Sequence, residues 1–194
     1  MGRRHRLGLI HRPIIRSSLN GGSSSVIVAA SYLPSDNPTS LVAWFRMGVG
    51  VTVTGAGVST WADQSGNGND LLQATDTNRP AYDGSAIITF DGVDNFMVTG
   101  AFNISQPIQS SMLVNQITTT STDYYCDGRT FNEMAWWMQT ATALTIYAGA
   151  VGPSGTITAA TWQTISVVVN GASSSLKIDS NSPITGNAGT QGIT

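Results

Sequence analysis

Carboxylate side chains are the groups in this sequence whose types and spacing bear most directly on catalysis. Hydrolysis of a glycosidic bond normally uses two carboxyl groups, one on each side of the bond that breaks. The chain has a single glutamate, Glu133, and no Glu-x-Asp pair. Asp91 and Asp94 lie close together, but their stretch is typical of a turn in which such side chains cap backbone N–H groups. A glycoside hydrolase is therefore the weakest of the function hypotheses, and we predict that the chain is not an enzyme.

Nucleophilic catalysis and histidine-based metal binding find no support in the other residues. Both histidines, His5 and His11, lie in the first 16 residues, so the rest of the chain cannot hold a Ser-His-Asp or Cys-His site. The same distribution removes histidine-based metal sites from that part. The single cysteine, Cys126, cannot form an internal disulfide, and its apolar neighbours favour a buried thiol over a reactive one.

Calcium is the one metal that the sequence leaves open, because it binds carboxylate and amide oxygens. Candidate oxygen ligands are Asp63, Asn67, Asp70, Asp91 and Asp94. Their spacing matches no established calcium loop, whereas Asx side chains followed by glycines are typical of tight turns. We therefore predict structural turns and no cofactor, with calcium as the alternative.

Two pairs of adjacent aromatic residues are candidates for stacking against sugar rings. They are Tyr124-Tyr125 and Trp136-Trp137. Neighbouring residues on a strand point to opposite faces of the sheet, so one member of each pair is expected to be buried and the other exposed. The alternative is that both members of each pair pack in a core or an interface. A glycan-binding site on these residues therefore remains a hypothesis.

The first 16 residues form a cationic, aliphatic segment that we call the arm. It holds five of the nine Lys and Arg residues and no acid, whereas all 11 acids follow it. The candidate anchoring residues are Arg3, Arg4, Arg6, Leu9, Ile10, Arg12, Ile14, Ile15 and Arg16. A merely solvated tail has no use for aliphatic residues, so we predict an extended arm that orders on a neighbouring protein. A disordered tail and phosphate contacts to nucleic acid are the alternatives.

The rest of the chain has the sequence pattern of an all-β protein. Gly, Ser, Thr and Asn are frequent, charged residues make up only 10%, and short apolar runs alternate with turn residues. Predicted strands cover residues 26–31, 41–46, 59–62, 70–74, 86–90, 96–99, 111–117, 123–126, 134–139, 143–147, 162–169 and 175–179. Asp91-Gly92 is predicted to close a hairpin between 87–90 and 96–98, and Trp44 and Trp61 are predicted to fill a core between two sheets. No apolar run approaches the roughly 20 residues of a membrane span.

Several motifs resemble those of concanavalin A-like (LamG-type) jelly rolls found in phage and bacterial surface proteins. They are Leu41-Val-Ala-Trp-Phe45, Trp61-Ala-Asp-Gln-Ser-Gly-Asn-Gly-Asn-Asp-Leu71, Ile88-Thr-Phe-Asp-Gly-Val-Asp-Asn-Phe96 and Trp162-Gln-Thr-Ile-Ser-Val-Val-Val-Asn-Gly171. The resemblance covers roughly residues 40–180 and implies an antiparallel β-sandwich. Members of this family usually continue with further strands after the last motif, so we expect the sandwich to be incomplete at residue 194, with a neighbouring chain that covers the open edge as the alternative.

These observations give a three-part organisation and a ranked set of functions. Residues 1–16 are the arm, 17–25 a flexible linker and 26–194 the jelly-roll sandwich. The leading hypothesis is a virion structural protein, either a capsid decoration, a head fibre or a tail-associated module. Its arm would bind other virion proteins, and a homo-oligomer is expected. The alternative is a glycan-binding adhesin that meets polysaccharide at a phage or bacterial cell surface.

Overall fold

The computed structural model describes residues 40–117, 124–128, 135–140 and 142–192, with only the backbone for 135–139. Within these ranges the chain is built from antiparallel β-strands, and its only helical turns are 3-10 turns at Asp76–Asn78 and Gly171–Ser173. The all-β prediction is therefore confirmed. The described residues include no helix that is long and apolar enough to cross a membrane.

The chain divides into two compact units. Unit 1 contains the residues up to Phe90 together with Asn95–Val98, and unit 2 contains Asp91–Asp94 and Thr99–Thr194. The arm, the linker and the predicted strand at 26–31 lie outside the described residues, so these predictions remain untested.

Unit 1 contains two small antiparallel sheets. The first has the order β1-β2-β3, and the second pairs β4 with β5. The strands are β1 Val51–Thr54, β2 Gly57–Trp61, β3 Leu71–Leu72, β4 Ala81–Tyr82 and β5 Ile88–Thr89. An isolated bridge also joins Leu72 to Val98.

The side chain of Arg79 ties together several loops of unit 1. Its guanidinium donates hydrogen bonds to the backbone oxygens of Gln73, Thr54 and Ala74, at 2.6–3.0 Å. It also contacts the carboxylate of Asp76, which accepts a hydrogen bond from the backbone N–H of Ala56. A planar guanidinium can serve all these acceptors at once because its donors point in fixed directions. The sheets of unit 1 are short, and this side chain supplies links that their ladders lack.

Unit 2 contains two four-stranded antiparallel sheets, with the orders β10-β9-β8-β7 and β13-β12-β11-β6. The strands are β6 Ile108–Asn115, β7 Tyr124–Asp127, β8 Ala135–Thr140, β9 Ala143–Tyr147, β10 Val151–Thr156, β11 Trp162–Val169, β12 Ser174–Ile178 and β13 Ile184–Gly186. The longest pairing joins β6 to β11, from Ile108 opposite Val169 to Asn115 opposite Trp162.

The main hydrophobic core lies in unit 2 and is shared by its two sheets. Strand β11 contributes Ile165, Val167 and Val169, which alternate with more exposed residues. Leu144 and Ile146 of β9 are fully buried in the same cluster, as are residues of β12. Strand β10 packs against β12 and β13, which brings the two sheets together. The sheet β13-β12-β11-β6 therefore buries one face, as a two-residue side-chain period requires, whereas β9 in the other sheet is buried on both faces because Thr145 is buried as well.

Strand prediction succeeded for most of the described strands. Strands β9 and β11 occupy the predicted ranges, and β2, β3, β5, β6, β7, β8 and β12 overlap their predictions. The predictions at 41–46 and 96–99 are wrong, because the first is irregular and the second contains only the bridge at Val98. Strands β1, β4, β10 and β13 were not predicted.

Two predictions that rested on motif residues are also wrong. No hairpin closes at Asp91-Gly92, because β5 pairs with β4 and Val98 pairs with Leu72. Asp91 instead accepts hydrogen bonds from the backbone N–H groups of Val93 and Asp94, which forms a local Asx turn. Trp44 and Trp61 do not enter the core, and both are only partly buried.

Candidate functional site

The predicted turn at residues 63–70 forms a network of hydrogen bonds that we call the Asp63 clasp. One carboxylate oxygen of Asp63 accepts the backbone N–H groups of Trp44 and Ser65, both at 2.8 Å. The other oxygen accepts the hydroxyl of Ser65 at 2.6 Å and the backbone N–H of Asn69 at 3.1 Å. Asp70 closes the loop by accepting the backbone N–H of Asp63 at 2.8 Å.

The asparagines of the clasp bind the preceding segment rather than a ligand. The Asn67 side-chain amide donates to the backbone oxygens of Leu41 and Val42, at 2.6 and 3.1 Å. The Asn69 amide donates to the oxygen of Val42 at 2.9 Å. Gly66 and Gly68 adopt φ values of 89° and 74°, which allow the loop to turn back on this segment. These contacts satisfy the backbone of residues 41–44 without a strand partner.

The side chains of the proposed calcium ligands Asp63, Asp70 and Asp91 accept hydrogen bonds from backbone N–H groups within turns. Partial burial raises the pKa of Asp63, but its hydrogen bonds from Ser65, Trp44 and Asn69 outweigh that effect and place the pKa below 3.8. The other candidates, Asp91 and Asp94, belong to a separate Asx turn. Within the described ranges no group of three or more His, Cys, Asp or Glu side chains has the geometry to hold a metal ion. The calcium hypothesis therefore gains no support from these contacts.

The predicted aromatic pairs lie on the neighbouring strands β7 and β8. The register sets Tyr124 opposite Trp137 and Cys126 opposite Trp136. Tyr124 is exposed, whereas Tyr125 is half-buried and packs against the core of unit 2. Tyr125 also donates a hydrogen bond from its hydroxyl to the side-chain oxygen of Gln116. The two tyrosines therefore have the two different environments that the alternation predicted.

A second polar surface, which the sequence reasoning missed, lies on the sheet β13-β12-β11-β6. Residues directly opposite each other in a ladder share a face, so the pairings of β6 and β11 define an outer face away from the core. We call it the outer face, and it contains Gln109, Ser111, Leu113, Asn115, Trp162, Thr164, Ser166, Val168, Ser175, Lys177 and Thr185. Most of these side chains carry a hydroxyl or an amide, and the only charged group among them is Lys177.

Trp162 and Asn115 stand at one end of this outer face. Trp162 is 45% exposed and Leu113, on the neighbouring strand, is 48% exposed. Asn115 pairs with Trp162 in the ladder, and its side-chain oxygen is buried and accepts no hydrogen bond from the described part of the chain. The alternation of Trp162, Thr164 and Ser166 was visible in the sequence, but the pairing of Trp162 with Asn115 was not.

The arm residues, from Arg3 to Arg16, lie outside the described ranges, so the structure does not test their predicted role as anchors. Comparison with known proteins adds no assignment: no family model, curated protein or solved structure matches the chain.

Proposed function

We propose that this chain is a non-enzymatic structural protein of a bacteriophage-type particle. Its arm attaches it to other virion proteins, and its β-rich part is displayed on the particle. The observation that carries this proposal is the division of charge, with five arginines and no acid in residues 1–16 and all 11 acids after them. A short cationic segment with aliphatic residues gains affinity by ordering on an acidic partner surface.

The displayed part is proposed to be a concanavalin A-like jelly roll. Two features of the described residues support this. Unit 2 has two four-stranded antiparallel sheets that share one core, and its β6–β11 pairing joins residues far apart in the sequence. The Asp63 clasp is the second feature, because the Asp of the Trp-x-Asp-x-Ser-Gly-Asn motif holds this turn through hydrogen bonds from backbone N–H groups. A rigid, loop-rich module of this kind suits display.

The use of the acids also favours a structural role over a catalytic one. The carboxylates of Asp63, Asp83 and Asp179 each accept at least one backbone N–H hydrogen bond. One carboxylate oxygen of Asp83 accepts hydrogen bonds from the backbone N–H groups of Ser85, Ala86 and Ile87, at 2.8–3.0 Å. Carboxylates bound in this way are stabilised in the charged form and are poor general acids.

The test uses particles purified from the source of the gene. Mass spectrometry of washed particles should detect peptides of this chain. In a second experiment, purified chain is added to particles from which this protein is absent. The full-length chain should co-sediment with these particles, whereas a chain without residues 1–16 should fold but no longer co-sediment. Unchanged co-sedimentation of the truncated chain would contradict the anchoring role of the arm. Peptides found only in a bacterial envelope fraction would favour the adhesin over the virion protein.

A further inference from the structure

We infer that the outer face of β6 and β11, around Trp162 and Asn115, is a binding site for a neutral polysaccharide. The inference does not depend on particle attachment, because it uses neither the arm nor the linker. It also differs from the sequence-based hypothesis, which placed sugar binding on Tyr124, Tyr125, Trp136 and Trp137.

The first argument is the exposure of a large aromatic ring on a polar sheet face. Trp162 keeps 45% of its surface in contact with solvent although it belongs to a strand that contributes three residues to the core. Trp offers a rigid apolar surface and an N–H donor at low entropic cost, which is why it is enriched in binding sites. The apolar C–H face of a pyranose ring matches such a surface in size and chemistry.

The second argument is an unpaired polar atom beside that ring. The side-chain oxygen of Asn115 is buried and has no hydrogen-bond partner among the residues that the structure describes, and Asn115 is the ladder partner of Trp162. Leaving a buried acceptor unpaired costs about 1–3 kcal/mol, so native proteins keep few of them. A sugar hydroxyl placed against Trp162 would supply the missing donor.

The third argument concerns charge and selects the class of ligand. From Trp162 the outer face continues through Thr164 and Ser166, and the hydroxyl of Ser166 lies 3.0 Å from that of Ser111. The charged groups at this face are one cation, Lys177, and one anion, Asp179, whose carboxylate accepts hydrogen bonds from the backbone N–H of Thr164 at 2.8 Å and from its hydroxyl at 3.3 Å. A row of hydroxyl and amide groups that ends in an aromatic ring fits a chain of uncharged sugars. An acidic polymer or a phosphate would require several cations.

The alternative occupant is a second copy of the same chain. The large apolar side chains that the outer face exposes are Trp162 and Leu113, and hydroxyl groups flank them. Stable homodimer interfaces have larger and more apolar centres than this. We therefore assign the face to a saccharide, and self-association through it becomes an outcome that the experiment must detect.

Affinity electrophoresis of the full-length chain in gels that contain dextran, mannan, soluble starch or a β-glucan tests the inference. At least one of these polymers should slow the migration of the chain. Trp162→Ala should weaken that binding about tenfold or more, as expected when an anchoring aromatic residue is removed. Asn115→Leu should weaken it as well, whereas Trp162→Phe should retain most of it. Tyr124→Ala is the matched control, because Tyr124 is an exposed aromatic residue on the other sheet of unit 2.

Three outcomes would overturn the inference. They are no retardation of the folded chain by any of the four polymers, retardation that Tyr124→Ala removes and Trp162→Ala does not, and self-association that Trp162→Ala abolishes. Thermal unfolding of every variant identifies those that fail to fold, and Asn115→Leu keeps the test valid if Trp162→Ala does not fold. The chain without residues 1–16 should bind the polymer as the full chain does, so failure of this inference leaves the particle proposal standing.

Discussion

The backbone N–H of Gly171 donates a hydrogen bond of 2.7 Å to the side-chain oxygen of Gln106. The amide nitrogen of the same Gln106 side chain donates to the backbone oxygens of Gly189 and Gln191, at 3.1 and 2.5 Å. One side chain therefore joins the segment before β6, the turn before β12 and the segment after β13. Each of these contacts links residues that are at least 65 positions apart.

Replacing this amide should destabilise unit 2. Gln106→Leu leaves one backbone donor and two backbone acceptors without their partner, and we expect a loss of about 1–3 kcal/mol in the free energy of unfolding. Urea denaturation followed by far-ultraviolet circular dichroism measures it. The control is Gln109→Leu, an exposed position on β6, which should change the free energy by less than about 0.5 kcal/mol. Equal effects of the two substitutions would show that the Gln106 contacts contribute nothing.

The Asp63 clasp should stabilise unit 1 by a similar amount. Asp63→Ala removes the acceptor of three backbone N–H groups, those of Trp44, Ser65 and Asn69. We expect a loss of about 1–3 kcal/mol, together with a red shift of tryptophan fluorescence as Trp44 gains solvent contact. Asp94→Ala, at an exposed turn position, is the matched control and should leave both quantities almost unchanged. An unshifted spectrum in Asp63→Ala would argue against a link between the clasp and Trp44.

Stability should fall in acid because several carboxylates are hydrogen-bonded in the folded chain. The hydrogen bonds from Ile87, Ser85 and Ala86 lower the pKa of Asp83, and those from Gln163 and Thr164 lower the pKa of Asp179. A carboxyl group with a lowered folded pKa contributes stability above its unfolded value, 3.8, and loses that contribution as the pH falls through the folded value. The free energy of unfolding should therefore be constant above about pH 5 and decrease below it. Asp83→Asn should make the decrease shallower, and an unchanged pH profile would contradict this assignment.

The single thiol should react slowly in the folded chain. Burial, with a smaller effect from the neighbouring Asp127 carboxylate, raises the pKa of Cys126 from 9.0 to about 11. Only the thiolate reacts, so its fraction near neutral pH falls about a hundredfold. Ellman's reagent should therefore label the native chain far more slowly than the chain in denaturant. Equal labelling rates in the two states would show that Cys126 is accessible and its thiol unperturbed.

Two glycines with similar backbone angles should respond differently to substitution. Gly189 and Gly84 have φ values of 93° and 81°, so alanine at either position carries the strain of the left-handed region, about 1–2 kcal/mol. A Cβ atom at Gly189 would also lie 2.1 Å from the backbone oxygen of Ala148, whereas Gly84 has nothing within 4 Å. Gly189→Ala should therefore cost at least about 1 kcal/mol more than Gly84→Ala. Equal thermal unfolding midpoints for the two variants would contradict the close approach.

Strand β11 shows which features of the fold were predictable from sequence. Its buried apolar residues, Ile165, Val167 and Val169, recur at every second position, and that pattern indicates its buried face. Strand β10 shows the opposite case, because Gly152, Pro153 and Gly155 give it little strand propensity. A Cβ atom at Gly155 would lie 2.8 Å from a side-chain carbon of Ile178. The small residues are there to let the two sheets approach, and only the packed structure reveals that requirement.

The segment at 41–46 illustrates a second limit of sequence reasoning. Its apolar residues predicted a strand, but the backbone oxygens of Leu41 and Val42 accept hydrogen bonds from side-chain amides instead of a neighbouring strand. The candidate sites also differ in how far the sequence could predict them. The turn at 63–70 was predictable from its Asx and glycine residues, whereas the pairing of Trp162 with Asn115 depends on a register between distant segments.

The register of β6 has a consequence for biosynthesis. Strand β6 is uncharged and eight residues long, and its ladder partner β11 begins only at Trp162. Translation proceeds at about 5–20 residues per second, so β6 leaves the ribosome seconds before β11 exists. During that interval its backbone donors and acceptors are available to any other nascent strand. Mispairing of β6 with another nascent chain is therefore expected to compete with folding until β11 emerges.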